Sequence, residues 1–103
     1  MSWEPATREQ VLSTLAEEKA TLDPAYLAQF DEYWVEPYPA IWPRFGEEEQ
    51  VFIVARSASH VLFFDDMEES FCLARERNGR LDDCSDFGGL GLALGEMRGI
   101  EVA

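Results

Sequence analysis

The stretch QVFIVARSASHVLFFDDMEESFCLA, residues 50–74, decides the fold. It holds three short apolar runs, Val51–Ala55, Val61–Phe64 and Phe71–Ala74. They are separated by Ser57-Ala58-Ser59-His60 and by Asp65-Asp66-Met67-Glu68-Glu69. Short runs rich in β-branched and aromatic residues, bounded by turn formers, read as strands. Three antiparallel strands are therefore expected. Arg77-Asn78-Gly79-Arg80 adds an Asn-Gly turn signal and leads to a fourth short strand near Leu81–Cys84.

A two-residue first turn places Val54 opposite Phe63 and Ile53 opposite Phe64, and brings Phe64 near Phe71. One face then carries Val51, Ile53, Ala55, Leu62, Phe64, Phe71 and Leu73. The other carries Phe52, Val54, Val61, Phe63, Cys72 and Ala74. Both faces are apolar, whereas a small antiparallel sheet commonly leaves one wet. The second face needs a cover, from the C-terminal segment, another helix or another chain. In the last case Phe52, Val54, Phe63 and Cys72 form the interface of a homodimer. Phe63 and Phe64 point to opposite faces, and the acids at 65–69 fall beyond the strand in a solvated turn.

Upstream, Thr7-Arg8-Glu9-Gln10 is a capping-box pattern. Val11, Leu12, Leu15, Ala16 and Leu22 recur near the helical period, giving an amphipathic helix over about 7–20 with Glu9, Glu17 and Glu18 on its wet side. Asp23-Pro24 starts a second helix over 24–35, with Tyr26, Leu27, Phe30 and Trp34 as its stripe. Their short connection predicts a helical hairpin. Pro37, Pro39 and Pro43, interleaved with Tyr38, Ile41, Trp42 and Phe45, predict an aromatic loop over 36–48. A last helix is expected over 86–97, capped by Ser85 or Asp86, with glycines that allow close packing on the sheet. The expected fold is one α+β domain spanning 1–103: an N-terminal helical hairpin, a three- to four-stranded antiparallel β-meander over 50–84 and a C-terminal helix.

The chain carries 21 acidic against 8 basic residues, a net charge of −13, spread along its length. Such a body repels nucleic acid and anionic membranes and attracts a basic partner. Met1-Ser2-Trp3-Glu4-Pro5 shows no leader features and no apolar run reaches membrane-span length, so a cytoplasmic protein is expected.

Candidate chemistry is sparse. His60 is the only histidine and lies in a turn beside Ser57 and Ser59, without a nucleophile-elbow motif. Cys72 and Cys84 lack zinc-ligand spacing and are expected as thiols. Gly89-Leu90-Gly91-Leu92-Ala93-Leu94-Gly95 has neither the spacing nor the lysine of a phosphate loop. Asp65, Asp66, Glu68 and Glu69 could hold Ca²⁺ or Mg²⁺ loosely but do not follow an EF-hand pattern. No catalytic residue, metal or cofactor is assigned. Three acidic clusters at strand ends instead form an anionic rim suited to steering a cationic protein.

Residues 50–71 carry a resemblance: paired hydrophobic strands, an acidic turn and, by residue 97, a closing helix. Over about 48–97 the chain resembles small acidic bacterial immunity-type proteins of polymorphic toxin systems. That resemblance implies a cytoplasmic, non-enzymatic inhibitor that caps a basic toxin with carboxylates and aromatics. The expected partner-binding residues are Asp65, Asp66, Glu68 and Glu69 for charge, with Tyr38 or Trp42 as anchor. The competing expectations are the homodimeric structural or regulatory module and a small metal-binding or enzymatic domain.

Overall fold

A computed structural model describes the backbone of residues 7–102 and the side chains of 7–99. The stretch 1–6, read above for targeting signals, lies outside the described residues. The order is α1 (Arg8–Lys19), α2 (Pro24–Tyr33), β1 (Trp34–Arg44), β2 (Glu47–Arg56), β3 (Val61–Asp65), β4 (Ser70–Arg77), β5 (Arg80–Gly88) and α3 (Leu90–Val102). Among the described residues no helix is long and apolar enough to cross a membrane.

Local signals place α1 and α2. The Gln10 amide donates to Thr7 Oγ1 at 3.2 Å, and Gln10 Oε1 accepts from the Thr7 amide at 2.8 Å, which closes the capping box. Asp23 holds the N-cap position of α2 with Pro24 behind it, but its carboxylate makes no capping hydrogen bond. The second helix packs on the third and on β2 rather than chiefly on the first. Gln29 Nε2 on α2 donates to the Leu94 carbonyl on α3 at 2.7 Å, tying the second helix to the third. Of the α3 glycines, Gly95 lies against α2 and Gly91 against Leu22, rather than against the sheet. A Cβ at Gly95 would sit 3.4 Å from the Tyr26 hydroxyl.

The expected meander is instead a closed five-stranded barrel, β1-β2-β3-β4-β5. The residues expected as an aromatic loop form its first strand. β1 pairs antiparallel with β2 from Tyr38↔Ile53 to Arg44↔Glu47 and meets β5 in parallel at Ile41↔Arg80. The prolines permit this because of where they fall. Ile41 N–H donates to the Gly79 carbonyl at 2.8 Å, so it faces β5. N–H groups alternate sides along a strand, which puts Pro39 and Pro43 on the β5 side, where no donor to β2 is lost. Pro37 continues the series, and its carbonyl accepts from Arg8 Nε of α1 at 3.3 Å. Within a sheet proline is confined to positions where no ladder donor is needed, and these are such positions.

Closure answers the puzzle of two apolar faces. Inside the barrel lie Ala40, Val51, Ile53, Val61, Phe63, Cys72, Ala74 and Leu81, with Val35, Tyr38, Trp42 and Cys84 packed against them. Outside, Val54, Ala55, Leu62, Phe64, Phe71 and Leu73 meet Val11, Leu15, Phe30, Leu90, Ala93, Leu94 and Met97 of the helices. The sheet covers its own second face.

The proposed dimer face therefore does not exist as one surface. Phe63 and Cys72 are buried in the barrel, while Val54 and the partly buried Phe52 pack beneath the helices. The cause is a β-bulge. Ala55↔Leu62 and Arg56↔Val61 keep the register expected from the turn, but Ile53 pairs with Phe63 rather than with Phe64. One extra residue in β2 turns Val51 and Ile53 inward and leaves both Val54 and Ala55 outward. The β3–β4 register, Phe64↔Phe71 included, is as expected. The C-terminal helix starts at Leu90 because β5 runs through Phe87 to Gly88.

Candidate partner-binding surface

Two features flank the turn between β3 and β4. One is buried and charged, the other open and anionic.

The buried feature is centred on Arg44, at the end of β1. Its Nη1 and Nη2 donate to Asp65 Oδ2 and Oδ1 at 3.0 and 3.1 Å, a bidentate pair. Nε donates to Glu49 Oε2 at 3.1 Å. The guanidinium carbon lies 3.9 Å from the Trp42 ring centre, a cation–π stack, and Nη2 is 3.6 Å from Met67 Sδ. Burial alone would lower the Arg44 pKa, but the hydrogen bonds of Asp65 and then Glu49 outweigh it and raise the value. Asp65 Oδ1 also accepts from the Met67 amide at 3.1 Å, so the same carboxylate shapes the turn.

Asp65 is thus 1% exposed, not a charge displayed to solvent. The four acids of the turn are not brought together. Asp65 points into the barrel end, Glu68 and Glu69 are exposed, and Asp66 is half-buried. The two expected anchors are also spent internally. Trp42 packs edge-on against Phe63, with centroids 5.0 Å apart. Tyr38 donates to Glu76 Oε1 at 2.9 Å and accepts from Arg56 Nη1 at 3.0 Å. Burial, then the Glu76 hydrogen bond, raises the Tyr38 pKa.

The open feature is a groove of about 680 Å³ between α1 and the β3–β4 turn. Glu17 and Glu18 of α1 face it from one side, Asp66 and Glu69 of the turn from the other. Ser13, Thr14 and Phe64 also line it, and no Lys or Arg is among the described lining residues. The helical period had set Glu17 and Glu18 on the wet face of α1. Their meeting with the turn depends on how α1 lies on the barrel, which no local pattern encodes.

Asp65, Cys72 and Asp86 bring one possible ligand atom each within 4.8 Å of one another. Each of the four carboxylate oxygens already accepts at least one hydrogen bond. Arg44 takes both oxygens of Asp65, Ser70 Oγ donates to Asp86 Oδ2 at 2.7 Å, and the Gly88 amide donates to Asp86 Oδ1 at 2.8 Å. Both thiols are free. Burial, then Asp86 and Asp65, pushes Cys72 up to about 12. Burial, then Asp82 and Asp83, pushes Cys84 up to about 11. The thiolate is the reactive form, so iodoacetamide at mildly alkaline pH is expected to label neither cysteine until denaturant is added. Labelling of the native chain at the rate of a free thiol would contradict the burial. Both values are raised on folding, so the thiols' contribution to stability is whole below the ordinary thiol value of 9.0. It is lost as pH climbs from there through about 11 and 12. Urea midpoints measured across that range should fall.

At the β2–β3 turn, Ser59 Oγ lies 2.8 Å from His60 Nδ1, a contact between chain neighbours on an exposed loop. Comparison with known proteins finds no matching family model, no matching curated protein and no matching solved structure.

Proposed function

We propose that the chain is a non-enzymatic binding module for a cationic protein, and that the groove between α1 and the β3–β4 turn receives that partner. The observation that carries this reading is the convergence of four carboxylates, Glu17, Glu18, Asp66 and Glu69, on one open groove. A body of net charge −13 supplies the long-range attraction. Such a field speeds encounter with a positive surface and rejects anionic ones. The finer reading is an immunity-type inhibitor that caps a basic toxin, with the groove replacing the Asp65-centred cluster as the acidic element.

The test separates the groove from mere charge. An oligo-arginine peptide is titrated calorimetrically into the native chain and into a variant with Glu17→Gln, Glu18→Gln, Asp66→Asn and Glu69→Gln. Affinity is expected to fall about tenfold or more, with a shallower salt dependence. A matched variant, Glu9→Gln, Asp31→Asn, Glu32→Gln and Glu96→Gln, removes the same charge from exposed positions elsewhere. Equal losses in the two variants would sink the groove assignment.

A further inference from the structure

The chain makes the same two-residue hairpin turn twice, with different residues. Asn78-Gly79 joins β4 to β5 with φ of +55° and +79°; Phe45-Gly46 joins β1 to β2 with +54° and +74°. Positive φ at both positions marks a type I′ turn, for which Asn-Gly is the preferred pair. A phenylalanine there is strained, since a bulky side chain rarely adopts the left-handed region. Phe45 adds nothing to either apolar core, being 84% exposed.

Yet the ring is held. The Arg44 guanidinium carbon lies 5.5 Å from its centre, and that guanidinium is fixed by Asp65 and Glu49. The same group contacts Met67, itself 44% exposed. Two exposed apolar side chains thus contact one guanidinium that two carboxylates hold, which limits the entropy that a contact with them would cost. Each has an exposed carboxylate beside it in the chain, Glu47 after the Phe45-Gly46 turn and Glu68 after Met67. The turn that carries Met67 also presents Asp66 and Glu69 to the groove.

We infer that Phe45 and Met67 are the apolar anchor of the partner-binding surface, and that they take a basic amphipathic segment in which arginine or lysine alternates with aliphatic side chains. The inference rests on the cationic-partner reading above and adds to it the apolar half of the recognition. Charge selects this occupant over an anionic lipid surface or nucleic acid, both of which the anionic body repels.

Two synthetic peptides test it, one alternating arginine and leucine, the other oligo-arginine with the same number of charges. The native chain should bind the alternating peptide about tenfold more tightly. Phe45→Asn and Met67→Ser should each remove most of that preference and leave oligo-arginine affinity unchanged. Phe45→Asn installs the preferred Asn-Gly turn, so its thermal midpoint should rise by a few degrees and the loss cannot be misfolding. Equal affinity of the native chain for the two peptides, or a preference that survives Phe45→Asn, overturns the anchor while the groove stands. Failure of oligo-arginine to bind at all overturns the groove reading, and the anchor with it.

Discussion

Replacing Arg44 by alanine is expected to remove a large share of the chain's stability. The Asp65 carboxylate is nearly inaccessible and spends both oxygens on the guanidinium. Removing one member of a buried pair strands the other in a medium of low polarity, at about 3–5 kcal/mol. A domain of this size has only about 5–15 kcal/mol in total. The stack on Trp42 and the bond to Glu49 are lost as well. Urea unfolding of Arg44→Ala, monitored by tryptophan fluorescence, should show a midpoint far below that of the native chain. The double variant Arg44→Met with Asp65→Leu should recover much of the loss, because it removes both charges together. A drop of under about 1 kcal/mol in Arg44→Ala, the value of an exposed pair, would show that the clamp contributes little.

Phe63→Ala is the second large effect. The ring is fully buried at the centre of the barrel, edge-on to Trp42. Truncating such a phenylalanine costs about 3–5 kcal/mol, part lost transfer energy and part the cavity left behind. At about 4–8 °C per kcal/mol for a domain this size, the melting midpoint should fall by well over ~10 °C. Phe63→Leu should cost far less, since it keeps most of the volume. The comparison is Leu92→Ala, at an exposed position of α3, which should move the midpoint little. Sedimentation of the native chain discriminates the barrel from the interface reading of the same residue. If Phe63 served a homodimer, its loss would dissociate the complex before it lowered the stability of each chain.

What could be read from the sequence was what short-range chemistry decides. The capping box at Thr7, the Pro24 start, the Asn78-Gly79 hairpin and the alternation across β3 and β4 each rest on neighbours in the chain. The register of β2 began correctly at its turn and was lost at Val54, because a bulge is set by what the strand packs against. β1 stayed hidden for a sharper reason. Pro37, Pro39 and Pro43 argue against a strand unless their even spacing, two residues and then four, is noticed, since that spacing sends the missing donors to one side. The same oversight concealed Phe45 and Arg44, for a residue in a loop has no register and no turn type. Asp65 looked solvated because its partner lies 21 residues away.

The seam between β1 and β5 has one more consequence. A sheet edge normally invites another chain to continue it, and long unguarded edges lead to aggregation. Closure on β5 removes that edge, and were the seam to open, β1 would have no N–H to offer at 37, 39 or 43, with the Pro37 carbonyl already taken by Arg8. A strand from a neighbouring molecule would meet oxygens where it needs donors, on a surface whose net charge of −13 already pushes copies apart. The three residues that look in the sequence like a break in structure would thus hinder edge-to-edge pairing with a second copy if the seam opened.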